Sequence, residues 1–357
     1  MKILYGVQGT GNGHITRARA LSTELAKAGI TVDYVFSGRP PDQYFNMEPF
    51  GCYRAFRGLT FATRKGQVKY LKTAVANNAW QLIRDIKSLS LDDYELVITD
   101  FEPVTAWAAM RQHKKCLGIG HQYAFDYDIP LEGSNWISRL IMRQFAPATT
   151  SLGVHWYHFG NPILPPIIEP PLENIKTEPS KVLVYLPFEE LSDIRRWLEP
   201  ERQYDFYIYH HVSQADDRGN IHIRPLSRDQ FQQDLASCEG VITNSGFELA
   251  SETIQYGKKI LTKPLHGQME QISNAAALRV LRRADVISTL NPAVLRAWLT
   301  KKNPQPVIYP NVAREIVRWI SDGQEEPLDA FAGRLWQSCE SEFAFMHDHP
   351  EYCASEG

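Results

Sequence analysis

The sequence predicts an α/β protein of two doubly wound domains facing across a cleft, and three observations carry that expectation. Short apolar runs alternate with amphipathic helical patterns through the N-terminal third, the pattern of βα units feeding a parallel sheet. Six prolines, at 162, 165, 166, 170, 171 and 179, then interrupt the alternation, and beyond them it restarts. The length of 357 residues suits two domains rather than one core.

Lys2 to Val7 reads as a strand that runs into a glycine loop, and from Ile15 to Ala28 the spacing Ala18, Leu21, Leu25, Ala28 is helical. Thr31 to Phe36 is a second strand. Val68 to Ser88 is a long helical pattern, Glu95 to Thr99 a strand ending in Asp100, and Leu117 to Ile119 another strand. Past the prolines, Val182 to Leu186, Phe206 to Tyr209, Ile221 to Ile223, Val241 to Thr243 and Lys259 to Thr262 are strand-like. Arg228 to Ser237 and Gly246 to Gln255 are helical, as are Val312 to Ser321 and Leu328 to Phe345. The expected division is an N-terminal domain over 1–161, a proline-rich linker over 162–180, a C-terminal domain over 181–345 and a tail over 346–357. The last helix is able to pack back on the first domain.

Hydrophobic residues at 43% and charged residues at 22% exclude a mainly disordered chain, and 22 Gly and 22 Pro without a period exclude a collagen-like one. A net charge of -3 does not fit a nucleic-acid binder. The five cysteines form no CxxC, which argues against a disulfide frame or a thiolate zinc site and fits a reducing cytosol. The N-terminus lacks the apolar region and cleavage site of a signal peptide. No run reaches the ~20 apolar residues of a spanning helix, so membrane contact is expected to be peripheral at most.

The first chemistry-bearing stretch is Gly9-Thr10-Gly11-Asn12-Gly13-His14, between the first strand and the first helix. Glycines there permit a tight turn and close approach of a ligand to backbone, and the helix start offers unpaired N–H groups. A Walker loop would end Gly-Lys-Ser/Thr, but Gly13-His14-Ile15 stands there. A dinucleotide fingerprint would place Gly at His14 and an acid where Ser37-Gly38 lies. What remains is a loop presenting a histidine to a cleft. In the second half, the strand Val241 to Thr243 leads to Asn244-Ser245-Gly246, and a helix starting at Gly246 would aim its N-terminal amides at a diphosphate. Glu248, Glu252 and Gln255 share one face of that helix. Ser245-x-x-Glu248 also has the form of a capping box. Glu252 has no such local duty. His266-Gly267-Gln268-Met269-Glu270-Gln271 follows the next strand and supplies the paired donors and acceptors that a polyhydroxylated ligand needs, though a solvated helix start would look similar.

Taken together, Gly9 to His14 with Thr16-Arg17-Ala18, Asn244 to Glu252, and Pro264 with His266 to Asn274 resemble the MurG-like, UDP-glycosyltransferase-like families of the GT-B fold, which has two Rossmann-like domains. The resemblance spans most of the chain in order and spacing. It implies a nucleotide-sugar donor, held through Gly11, Asn12, Gly13, Asn244, Ser245, Gly246, Glu248, Glu252, His266, Gln268, Glu270 and Gln271. Glu252 would accept the ribose hydroxyls of a UDP donor, while Gln268 stands where many relatives carry Asp.

Asp100 ends a strand whose carboxyl edge lines the same crevice as the loop of His14. A histidine base held in its tautomer by that aspartate would resemble the His–Asp pair of inverting GT-B enzymes. A cap or turn role for Asp100 is the plain alternative, and Glu102 is a substitute base. Asp126-Tyr127-Asp128 has the Asp-x-Asp form of a metal site but sits in a turn before Pro130, where Asp is favoured anyway. His347, His349 and Cys353 lie in a tail, so no metal or other cofactor is expected. His121 and Gln122 are either cleft contacts or loop surface.

Residues 1–160 hold 18 Lys+Arg against 13 Asp+Glu, and the remainder 20 against 28, a split of +5 and -8. Eight basic residues and one acid lie between Arg54 and Lys87, with Trp80, Leu82 and Ile83 able to form a buried side. That stretch, and Trp136 to Phe145, fit either a solvated face or an anionic membrane surface. The expected activity is inverting, metal-independent transfer of a sugar to a hydroxyl on a glycan, lipid-linked or small-molecule acceptor, at a cytoplasmic or inner-membrane location. A nucleotide-sugar 2-epimerase of the same fold and a non-catalytic sugar-nucleotide binder are the alternatives.

Overall fold

The computed structural model describes residues 1–59, 63–64, 67–68, 79–133 and 142–348. The first sheet contains β1 (Lys2–Gln8), β2 (Thr31–Ser37) and β3 (Tyr53–Phe56); a separate small hairpin follows, β4 (Thr63–Arg64) with β5 (Gln67–Val68). The sheet resumes with β6 (Leu96–Asp100), β7 (Cys116–Gly120) and β8 (Thr150–Gly153). Its order is β3-β2-β1-β6-β7-β8, with every pair parallel. The second sheet holds β9 (Lys181–Tyr185), β10 (Asp205–Tyr209), β11 (Asp216–Arg218), β12 (Ile221–Arg224), β13 (Gly240–Thr243), β14 (Lys259–Thr262) and β15 (Ala284–Val286). Its order is β11-β12-β10-β9-β13-β14-β15, parallel apart from the β11 edge.

With the hairpin and the β11 edge set aside, both sheets run third-second-first-fourth-fifth-sixth, the doubly wound order whose ligands bind where the direction of winding reverses. That reversal falls between β1 and β6 in one sheet and between β9 and β13 in the other. The register places Val7 opposite Asp100, so the loop after β1 emerges beside the end of β6.

Covering the first sheet are α1 (Asn12–Lys27), α2 (Ala79–Ser88) and α3 (Pro103–Arg111). The second carries α4 (Leu191–Leu198), α5 (Arg228–Ser237), α6 (Phe247–Gln255), α7 (Met269–Val280) and α8 (Pro292–Leu299), and the chain ends in α9 (Val312–Ser321) and α10 (Leu328–Trp336). Because helices cover both faces, the interior of β1 is an apolar run, with Ile3, Leu4, Tyr5 and Val7 fully buried. The buried stripe of α1, Ile15, Ala18, Leu21 and Leu25, belongs to one core cluster with Phe247 and Ala250 of α6 and Val312, Ile316 and Val317 of α9. The halves therefore share a core at the base of the cleft.

Several elements depart from the sequence expectations. Gln67–Val68 is a strand, and the helix expected from Val68 begins at Ala79 among the described residues; residues 69–78 lie outside them. On α2, Trp80 and Ile83 are exposed rather than buried. The expected helix from Leu328 stops at Trp336, and a 3-10 segment, Glu340–Asp348, follows. The proline stretch breaks regular structure but is no free strap: Ile163, Leu164, Ile167 and Ile168 are buried, and Leu164 bridges Val154. Residues 136–141 of the second basic segment, and His349 and Cys353, lie outside the described residues. Among the described residues no helix is long and apolar enough to cross a membrane.

Candidate functional site

At the first reversal point, α1 starts at Asn12 with Gly11 as its N-cap and no side-chain cap, leaving its first amides to the cleft. His14 sits in the first turn and Arg17 one turn later, on the same side. His14 Nδ1 lies 2.7 Å from Asp100 Oδ1, with Asp100 fully buried and the His14 side chain 14% exposed. A carboxylate at Nδ1 fixes the tautomer with Nδ1–H donating and Nε2 carrying the free lone pair. Nε2 makes no hydrogen bond among the described residues.

Arg17 completes the cluster. Its Nε donates to Asp100 Oδ2 at 2.7 Å and its Nη2 to Oδ1 at 2.5 Å, a two-pronged grip, and Nη2 also lies 3.0 Å from His14 Nδ1. Burial pushes Asp100 upward, but Arg17 and His14 outweigh it and hold the carboxyl below its usual range. The free edge of Arg17, Nη1, pairs with Glu248 of α6, the helix that opens at the second reversal point. One buried guanidinium thus joins the two domains.

That contact overturns the capping-box expectation. The N-cap of α6 is Gly246, extended and without a side-chain cap; Ser245 Oγ bonds Thr262 Oγ1 at 2.8 Å, and Glu248 turns across the cleft. A buried cation unpaired on that side draws the carboxylate away from its own helix. Glu248 Oε2 is buried without a partner, and burial pushes its carboxyl up to about 8 against the pull of Arg17, with Asp100 and Glu252 adding to the rise. Gly13 makes the approach possible, since a Cβ there would stand 2.9 Å from Glu248 Cγ.

Further along α6, Glu252 accepts from Gln232 Nε2 at 2.9 Å, and burial pushes its carboxyl up to about 7. It lines a pocket walled from both domains, with Asn12, Gly13 and Thr16 on one side and Tyr185, Leu226, Phe231 and Leu249 on the other. Asn12 Oδ1 accepts from Arg39 Nη2 at 3.1 Å. Asn244 donates to Lys263 O at 2.8 Å but leaves its buried Oδ1 without a partner.

The histidine loop lies differently from the rest of the candidate donor residues. His266 is exposed, Gln268 is the N-cap position of α7, and Glu270 accepts from Gln122 Nε2 across the cleft at 3.2 Å. Gln271 is buried and accepts from Leu265 N at 2.9 Å, so its carbonyl shapes the loop rather than facing the cleft.

His121 is no loop-surface residue. It is fully buried, stacks on Phe247 with ring centroids 4.0 Å apart and meets Asn274 Oδ1 at 2.6 Å, while Asn274 Nδ2 donates to Ser245 O at 3.0 Å. Trp156 Nε1 donates to Ser251 Oγ at 2.8 Å, a second fastening between the halves. Glu102 is excluded as a substitute base: it N-caps α3, accepting from Val104 N and Thr105 N at 2.8 and 2.7 Å and from Ser37 Oγ at 2.6 Å, all buried. That capping duty, one alternative for Asp100, thus falls to its neighbour. Asp126 is paired with Arg143 at 2.7 Å, and among the described residues no group of three or more His, Cys, Asp or Glu is placed to hold a metal ion. Arg17 is the residue that sequence reasoning passed over; its signal was its place three residues after His14.

Two doubly wound domains facing across a cleft, with a His–Asp pair on one wall and an open helix N-terminus on the other, have the architecture of the GT-B fold. The chain belongs to glycosyl transferase family 1, whose family model matches residues 1–302. No curated protein matches it. Among solved structures it is similar to the glycotransferase of kitacinnamycin, at 12% identity over 95% of this chain and 99% of that one, TM-score 0.60. It is also similar to Acinetobacter baumannii MurG, at 15% identity over 90% and 99%, TM-score 0.55. A third is SsfS6 from Streptomyces sp. SF2575, complexed with thymidine diphosphate, at 13% identity over 90% and 99%, TM-score 0.56. At these identities the likeness is one of fold.

Proposed function

We propose that this glycosyltransferase moves a sugar from a nucleotide sugar, UDP-linked by the motif resemblance, to an acceptor hydroxyl with inversion and without a metal ion. The observation that carries the reading is the His14 Nδ1 to Asp100 hydrogen bond of 2.7 Å, which leaves Nε2 as a base on the cleft wall. Nε2 takes the hydroxyl proton as the acceptor oxygen bonds to the anomeric carbon. The bond from that carbon to the diphosphate oxygen breaks, and its electron pair leaves with the nucleoside diphosphate.

The uncapped starts of α6 and α1 supply amide donors for the departing diphosphate. Glu252 accepts the ribose hydroxyls, and the unpartnered Asn244 Oδ1 offers a further acceptor nearby. Gln268, Glu270 and His266 flank the sugar. SsfS6 and VinC were each solved with thymidine diphosphate, which supports a nucleotide donor on this fold. On the acceptor side, Trp80, Ile83, Arg84 and Lys87 form one exposed face of α2, apolar and basic together, suited to an anionic membrane surface that carries a lipid-linked acceptor.

The test is release of nucleoside diphosphate from UDP-, GDP- and dTDP-sugars with and without a panel of hydroxyl acceptors. Acceptor-dependent release from one of them is expected. Isomerisation of UDP-N-acetylglucosamine without acceptor would make the protein an epimerase, and tight binding without turnover would make it a non-catalytic binder.

A further inference from the structure

The base on one domain is tied to a carboxylate on the other by a single buried guanidinium, and the charge count of that cluster changes with the tie. Arg17 grips Asp100 with Nε and Nη2 and gives Nη1 to Glu248. Its Nη2 stands 3.0 Å from His14 Nδ1. When His14 takes up the acceptor's proton, an imidazolium forms in contact with a guanidinium at a site where Arg17 and Asp100 are at most 1% exposed. Like charges so close and so poorly hydrated repel strongly.

With Asp100 and Glu248 both ionised, the cluster starts with one negative charge and reaches neutrality as the proton arrives. Without the charge on Glu248 it starts neutral and must become a buried cation. We infer that Glu248 and Arg17 are positioning residues for the transfer reaction, coupling the strength of the His14 base to closure of the donor helix against the N-terminal domain. This inference rests on the proposed role of His14.

The charged and titratable groups facing Glu248 are Arg17 and His14 from α1, Tyr5 from β1, Asp100 from β6 and Glu252 from α6 itself, and the pocket it lines adds Arg19 of α1, Tyr185 of β9, Tyr209 of β10 and Arg228 of α5. Tyr5 stays neutral, its hydroxyl pushed up by burial. Burial holds the proton on Glu248 to a higher pH than an ordinary carboxylate, up to about 8, so the counter-charge is itself gained over the upper part of the neutral range. A carboxylate that served only as a strut would show no such dependence.

The experiment is the pH dependence of kcat for wild type, Glu248→Gln and the double variant Arg17→Gln/Glu248→Gln, with the donor KM measured alongside. Gln keeps the shape and a carbonyl acceptor for Arg17. Above pH 8 wild type is expected to exceed Glu248→Gln by about 10-fold in kcat, corresponding to roughly one pKa unit of base strength. Below pH 6 the two converge, and the donor KM stays within about 2-fold. Removing the uncompensated cation as well should bring the double variant back above Glu248→Gln at high pH.

A Glu248→Gln profile that follows wild type at every pH, or a constant ratio across the range, overturns the inference. If the double variant does not fold, the Glu248→Gln arm decides alone. Full transfer by His14→Ala would instead remove the assigned base and the reading beneath it, an outcome separate from either.

Discussion

The two walls of the cleft carry different chemistry. On the N-terminal wall His14, Arg17 and Asp100 satisfy one another, and both oxygens of Asp100 are taken. On the C-terminal wall Glu252 lines the pocket beside the start of α6, which like α1 has no side-chain cap, and Asn244 Oδ1 is buried without a partner among the described residues. On the proposed reading the contrast is a division of labour: the His14–Asp100 pair moves the proton, and Glu252 holds the donor's ribose.

The strongest way to break that contrast is to disable the proton wall alone. His14→Ala should lower kcat by about 10²–10⁴-fold, while calorimetric donor affinity stays near wild type. Asp100→Asn should fall in the same direction, because an amide no longer enforces the tautomer and leaves Arg17 without its carboxylate. A large loss of donor affinity in His14→Ala would merge the two walls into one.

Next comes the donor wall. Glu252→Gln removes the charge that the proposed hydrogen bonds to the ribose would use, with an expected change of about 1.5–3 kcal/mol, or roughly 10–150-fold in donor Kd. Here kcat should move less than KM.

Glu252 also gives the donor wall its own pH signature. Burial raises its carboxyl from 4.5 to about 7, so between those values the folded protein binds a proton that the unfolded chain has released. Ligand-free stability contributed by this group is therefore present at low pH and lost as pH rises through that window. Donor affinity should run the opposite way, rising through about pH 7, because the ribose hydroxyls donate to the ionised form. Thermal melts and calorimetry at about pH 5.5 and about pH 8, on either side of that value, check both slopes, and Glu252→Gln should flatten them.

The smallest effect concerns what holds the walls together. Trp156→Phe deletes the donor to Ser251 Oγ, which still donates to Phe247 O at 2.8 Å. A loss of about 0.5–1.5 kcal/mol in denaturant unfolding is expected, with the donor Kd little changed.

Much of this was legible in the residues. Central strands such as β1 and β13 are short apolar runs, and the glycine loop and the start of α6 are marked by small residues that no core would need. The edge strands Thr150–Gly153 and Ala284–Val286 were not, because three or four mixed residues carry no period. His14, Asp100 and Glu252 stood out because their types and places after strands point to the cleft. The role of Glu248 did not: Ser245-x-x-Glu248 fits a local cap, and only the three-dimensional placement of Arg17, 231 residues away, supplies a stronger partner. Likewise Asn274 and His121 meet only once the two sheets face each other.

A crystal structure of the protein with an unreacted nucleotide sugar tests the division of labour most directly. The diphosphate should lie at the first turns of α6 and α1 and the ribose on Glu252, with His14 Nε2 facing the anomeric carbon from the side opposite the leaving oxygen. A donor whose ribose lies away from Glu252, or whose anomeric carbon lies out of reach of His14 Nε2, would contradict it.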